Sequence, residues 1–342
     1  MGRVKTSATA LATLVTLLWI RKVSNEYVWW SGLYDTLITL FRIHLRNFLK
    51  TGQLKRQFKR KESYLCQTSN ETSEVWWGRE NAFAKNESHK VLWIILPGGM
   101  RAGDSFYTDD GVDKLIKCEE DFCVFHNPGI VNEVLSHPPA LVDTSYLGSF
   151  ITKVRKKYDR ILLLGFSAGG MLSISASHLV DKTVTIHSPD IIRETFEWQS
   201  QSGWLDIMFA LSLYTTMKRS GAFENGFKPT SEWVWLEGFS WMKRYTERVF
   251  QTSWNDMEHL WSCRHVIANA TKKGKRLNVL RVISENDPIV PFTTIDVGLS
   301  REALLKCIVL KRGGHCTVPD DAVASILEYV HSPQANLLPI GK

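Results

Sequence analysis

From Lys90 onward, short apolar runs alternate with stretches of helical spacing. Val91 to Leu96, Phe122 to Phe125, Ile161 to Leu164, Thr183 to Ile186, Leu277 to Ile283 and Ile308 to Leu310 read as strands, several of them apolar without interruption, as strands covered on both faces are. Tyr146 to Val154, the stretch after Ser167 as far as about Leu179, and Ala322 to Val330 have helical periodicity. Such alternation predicts a mostly parallel central sheet flanked by helices, an α/β fold. Between Asp190 and about Lys275 it stops. Helical patterns and the aromatics Trp198, Trp204, Phe209, Tyr214, Trp233, Trp235, Phe239, Trp241, Trp254 and Trp261 dominate there. Ligands of open α/β sheets lie beyond the carboxyl ends of the strands. An insertion at that point therefore predicts a helical, Trp-rich cap over a site, with an apolar lining suited to acyl chains. Aromatics that merely fill a larger core are the competing reading for most of them individually.

Upstream of this body the pattern changes. Thr6 to Ile20 is apolar apart from small hydroxyl residues and is flanked by Arg3, Lys5, Arg21 and Lys22. At about 1.5 Å per residue it falls short of a hydrocarbon core of about 30 Å. No small-x-small cleavage site follows it, so it reads as an uncleaved signal-anchor, a short transmembrane helix. Tyr27 to Ile43 is aromatic and apolar around a lone Asp35, which suits an interfacial helix, with a helix packed on the following domain as the alternative. This divides the chain into an anchor and interfacial helix over 1–45, a basic linker or domain start over 46–89, and the main domain over 90–342, its cap at about 190–275.

Charge sharpens the picture. Net charge is +7, and Arg42, Arg46, Lys50, Lys55, Arg56, Lys59, Arg60 and Lys61 fall in one stretch with no acid among them. Next to apolar segments, such a patch predicts an anionic membrane surface as partner rather than nucleic acid, for which no zinc-finger or single-strand-binding signature is present. With 44% hydrophobic and 23% charged residues, the 342-residue chain is globular, not disordered. Its six cysteines contain no C-x-x-C pair, which argues against a metal site. No cofactor is expected. Sequons at Asn70, Asn86 and Asn269 fit a lumenal body at the endoplasmic reticulum or another endomembrane.

The candidate chemistry sits at strand ends. Gly165-Phe166-Ser167-Ala168-Gly169-Gly170 follows the Ile161 run and opens a helix of small residues. A GxSxG turn of this kind exposes the serine hydroxyl on a strained elbow and sets the next N–H at a helix N-terminus, where an oxyanion is stabilised. Ser284-Glu285-Asn286-Asp287-Pro288 follows the Leu277 strand, and Gly313-Gly314-His315 follows the last one. The chain order Ser, Asp, His, each after a strand, makes Ser167 the candidate nucleophile, His315 the base and Asp287 the acid that orients it. Asp190, after the preceding strand, is the competing acid. Leu96-Pro97-Gly98-Gly99-Met100 lies where a second oxyanion donor belongs, so the expected donors are the N–H groups of Ala168 and of Gly99 or Met100.

LPGG (96–99), GFSAGG (165–170), SENDPIVP (284–291) and GGH (313–315), with Thr246-Glu247-Arg248-Val249-Phe250 before the acid strand, resemble the membrane-associated abhydrolase-domain lipases and esterases of the AB-hydrolase family 4 group. The resemblance runs from about Lys90 to the C-terminus. It departs at His126-Asn127-Pro128-Gly129, where that family often has Asn-x-Arg-Gly, and at Gly99-Met100-Arg101, where Leu-Thr-Gly is more usual. It implies the α/β-hydrolase fold and hydrolysis of lipid acyl esters, phospholipid or acylglycerol, with Ser167, Asp287 and His315 at the triad positions. Transfer of the acyl group to an alcohol uses the same residues, and a non-catalytic lipid-binding protein of this fold is the alternative from another class.

Overall fold

The computed structural model describes residues 31–38, 41, 42, 45, 49, 58–65, 72–79, 91–98, 106–128, 142–200, 204–219, 223, 230–238, 240–249, 251–256, 260–315 and 317–332. The segment 6–20, expected to be an anchor, lies outside them; among the described residues no helix is long and apolar enough to cross a membrane.

One eight-stranded sheet organises the molecule, in the order β1-β2-β4-β3-β5-β6-β7-β8. The strands are β1 (Arg60–Leu65), β2 (Thr72–Trp77), β3 (Val91–Leu96), β4 (Asp121–His126), β5 (Arg160–Phe166), β6 (Lys182–Ile186), β7 (Leu277–Ser284) and β8 (Leu304–Leu310). Strand β2 runs antiparallel to both its neighbours, and β3 to β8 are mutually parallel. Successive side chains of a strand point to opposite faces, and the apolar runs sort accordingly. Trp93, Ile95, Leu162, Leu164, Val184 and Ile186 pack with Leu115 and Ile326, from helices Phe106–Leu115 and Asp320–His331. Leu92, Ile94, Ile161 and Leu163 pack with Leu147, Phe150 and Val154 of helix Ser145–Arg155.

The stretch over 46–89, read as a basic linker or domain start, contains the first two strands of the sheet, beginning at Arg60. Lys61 lies over the Trp76 ring at 3.7 Å and Arg60 over Trp77 at 5.2 Å, cation–π contacts in which the two cations cover the aromatic residues of β2. Strand β8 starts at Leu304, four residues before the expected Ile308. It is an edge strand of intermediate burial, and Lys306 breaks its apolar pattern.

The segment between β6 and β7 carries helices Ile192–Gln199, Trp204–Arg219, Ser231–Glu237, Ser240–Val249 and Arg264–Lys272. Its aromatics mostly build a core of their own: Trp241, Tyr245, Trp254, Trp261 and Phe223 are buried together with Ala168, Met171 and Ile174 of the helix that follows Ser167. Trp254 and Trp261 meet edge to face at 5.4 Å. Trp235, another aromatic of this segment, is 58% exposed beside an exposed Leu236. The side chains of Trp204 and Phe209 lie outside the described residues.

Residues 31–38 are helical and pack on the main domain, with Leu33 buried. Tyr34, Phe41, Leu45 and Leu49 are exposed.

Candidate active site

Because β5 to β8 are neighbours and parallel, the residues that follow them gather at one edge of the sheet. Ser167 follows β5, His187 follows β6, Asp287 lies in the loop after β7 and His315 in the loop after β8.

Ser167 caps helix Ala168–Ser175 with φ 49° and ψ −123°. A non-glycine residue there costs about 1–3 kcal/mol and persists only where its surroundings hold it. Its N–H donates to Ile186 O at 3.0 Å, and the Gly170 N–H donates to Ser167 O at 2.9 Å. Close approach also holds the elbow. A Cβ at Gly165 would collide with Ser173 Oγ, and one at Gly169 with the Leu96 carbonyl. Gly98 passes so near that its Cβ would stand 2.7 Å from the Ser167 Cβ, so Gly98 borders the serine. Ala168, buried, opens the helix. Gly99 and Met100 lie outside the described residues.

His315 and Asp287 are brought together. His315 Nδ1 lies 2.9 Å from Asp287 Oδ1 and 2.8 Å from Oδ2, in a buried contact. A carboxylate can only accept, which assigns the proton to Nδ1 and leaves Nε2 as the acceptor of the ring. The carboxylate is itself fixed, since the N–H groups of Ile289 and Val290 both donate to Oδ1 at 2.8 Å. Gln199, the last residue of the first cap helix, donates from Nε2 to the carbonyls of Pro288 (2.7 Å) and Ile289 (3.1 Å), tying that helix to the acid loop.

Asp190, the competing acid, is engaged elsewhere: its Oδ1 accepts from Arg281 Nη1 at 2.7 Å, both groups being buried.

Three side chains at this edge escape a reading of motifs. His187 is buried at φ 51°. Its Nε2 lies 2.7 Å from Ser284 Oγ, and its ring centre is 6.1 Å from that of His315. Burial, reinforced by His315, pushes its pKa down to about 4 against the attraction of Asp287, so it is neutral at pH 7. Its one sequence signal is the same as that of Ser167, a polar residue directly after a buried strand. Asn286 stands inside the recognised SENDPIVP run. Its Oδ1 accepts from the N–H groups of Gly313 (3.0 Å) and Gly314 (3.2 Å), linking the acid loop to the histidine loop. Thr36, on the helix at 31–38, accepts the His315 N–H at 2.8 Å; no motif surrounds it in the sequence.

No protein-family model matches the sequence, and no curated protein matches it. Solved structures do resemble it. An esterase of Pyrococcus furiosus superposes with a TM-score of 0.51 at 12% identity, over 80% of this chain and 90% of that one. A membrane phospholipase A, a bacterial virulence factor, also gives 0.51 at 12% identity, over 94% of this chain and 98% of that one. Likenesses at such identity speak for fold alone. They agree with the strand order, the single reversed strand and the elbow after β5: the chain has the α/β-hydrolase fold.

Proposed function

We propose that this chain is a membrane-associated serine hydrolase that cleaves carboxylic esters of lipids, with Ser167 as nucleophile, His315 as general base and Asp287 as its orienting acid. The observation that carries the reading is the His315–Asp287 pair, its proton assigned to Nδ1, at the same sheet edge as a strained serine elbow. In this chemistry His315 Nε2 takes the Ser167 hydroxyl proton as Oγ attacks the ester carbonyl. Asp287 holds the ring and stabilises its cationic form. The oxyanion receives the Ala168 N–H at the mouth of the helix, with Gly99 or Met100 as second donor. Collapse expels the alcohol, which leaves with the proton from His315, and water then releases the acyl group by the same steps in reverse order.

The lipid part of the reading is supported by the exposed Tyr34, Phe41, Leu45 and Leu49, recurring at steps of seven, four and four on helical residues, with Arg42 beside them. An amphipathic helix with such a face lies in a membrane interface. The motifs of the AB-hydrolase family 4 group point the same way and favour phospholipid or acylglycerol esters, and the sequons fit a place at the endoplasmic reticulum or another endomembrane. The experiment is active-site labelling with a fluorophosphonate followed by a panel of aryl and glycerolipid esters. Labelling and turnover should both vanish in Ser167→Ala. Turnover that survives in this variant, or a wild-type protein inert to both probe and panel, rejects the proposal.

A further inference from the structure

The loops that carry His315 and Asp287 are held from outside the sheet, by a helix that precedes the first strand. Thr36 Oγ1 accepts the His315 N–H at 2.8 Å and donates to Gly32 O at 2.8 Å, so one hydroxyl joins the backbone of the helix to that of the histidine. One residue earlier, the Asp35 carboxylate receives Arg312 Nη2 at 2.6 Å and Nε at 3.1 Å. It also receives Asn286 Nδ2 at 2.9 Å, and Ser31 Oγ accepts from the same amide at 3.3 Å. Asn286 directly precedes Asp287, and its other side-chain atom holds the N–H groups of Gly313 and Gly314. Both loops therefore meet on one turn of helix. The contact is close enough that a Cβ at Gly32 would overlap the Asn286 carbonyl.

We infer that the helix at 31–38 is a positioning element of the active site, with Thr36 setting the backbone of His315 and Asp35, through Asn286 and Arg312, setting the histidine loop against the acid loop. Thr36 acts through the backbone of His315. The inference rests on the proposed triad for its catalytic meaning, whereas the clamp itself is a matter of structure. The packing needs no special chemistry for stability alone, since Leu33 already buries an apolar side chain there. What the polar contacts add is direction: each hydrogen bond ends on a loop residue within three positions of His315 or beside Asp287. At about 100° per residue, Gly32 and Thr36 lie on the side of the helix opposite the exposed Tyr34. The helix at 31–38 thus carries the contact to His315 on one side and the exposed Tyr34 on the other.

The test uses the full chain and a soluble aryl ester. Thr36→Val keeps the shape and removes the acceptor, and Thr36→Ser keeps the acceptor. Val should lower kcat by up to about 100-fold with KM little changed, Ser should restore most of it, and Asp35→Asn should fall between. Hydrogen exchange of the peptide spanning 312–317 provides a readout independent of turnover: it should be faster in the Val variant and wild-type-like in the Ser variant. The inference is overturned if Val leaves both kcat and exchange unchanged, or if Val and Ser lose activity equally and only in proportion to lost folded protein. A wild-type enzyme inert on every ester would sink the hydrolase reading, and the exchange result would still decide for or against the clamp. If Val does not fold, the Ser and Asn variants and their exchange decide it.

Discussion

Asp190 pairs with Arg281 and not with His315. The Arg281 guanidinium, fully buried on β7, gives Nη1 to Asp190 Oδ1 at 2.7 Å and to Ser300 Oγ at 2.8 Å, and Nη2 to Ser188 O. The Asp296 N–H occupies Asp190 Oδ2 at 2.9 Å. Two acids that follow adjacent strands thus have different work. Asp190→Asn should destabilise the fold by about 3–5 kcal/mol, because it leaves a buried cation without its counter-charge, while folded molecules keep their kcat. Asp287→Asn should leave the melting temperature near wild type and cut kcat by about 10⁴-fold through loss of the productive tautomer. Thermal unfolding and turnover measured on both variants check the division; an Asp190 variant of normal stability and crippled turnover would reverse it.

His187 should make the fold sensitive to acid. Its pKa is pushed down to about 4 by burial, against an ordinary value near 6.5. The unfolded chain therefore binds a proton below about pH 6.5 that the folded chain refuses. Its contribution to stability is complete above that pH and declines as pH falls towards 4, by at most about 1.4 kcal/mol per unit. Melting curves between pH 7 and 4 should show a steeper loss for wild type than for His187→Asn, a residue that tolerates positive φ. Parallel curves would mean that His187 is not the acid-sensitive group.

Gly98 should be intolerant of any side chain. A methyl there stands 2.7 Å from the Ser167 Cβ, so Gly98→Ala has to move either the LPGG loop or the elbow. A displacement of about 1 Å between reacting groups costs about 100-fold in rate. Fluorophosphonate labelling of Gly98→Ala should slow markedly with little change in melting temperature. Labelling at the wild-type rate would show that the loop gives way without disturbing the serine.

The cap has structural and exposed aromatics that should respond differently. Trp241→Ala removes a fully buried ring and should cost about 3–5 kcal/mol. Trp235→Ala removes a side chain 58% exposed and should alter stability by no more than about 0.5 kcal/mol. Preference for acyl-chain length should be unchanged in Trp235→Ala. A shifted preference in that variant would put Trp235 against the acyl group.

What could be read from the sequence was what is local. Ile161 to Ser173 announces strand, elbow and helix in one window, and each of the loops bearing Asp287 and His315 follows a strand whose pattern shows nearby. The edges of the sheet were harder. Arg60–Leu65 is exposed over much of its length, so its charges point to solvent or lie over Trp76 and Trp77, and it looks like a charged linker. Lys306 disguises the start of β8 in the same way. The contacts of Asp35 and Thr36 span some 250 to 280 residues, and no periodicity encodes such a pairing. The one local trace is the lone Asp35 in an apolar stretch, a charge that has a partner only once Arg312 is placed beside it.

The hydrogen bond from His315 to Thr36 joins positions 279 residues apart, one ahead of β1 and the other after β8. A ribosome delivers the helix long before the histidine. With Ser167 as nucleophile, a nascent chain that has already formed its elbow still lacks a fixed base until β8 has closed the sheet and the returning loop has found the helix. The order of synthesis thus keeps the two halves of this contact apart: Thr36 cannot fix the His315 backbone until every residue between them has been made.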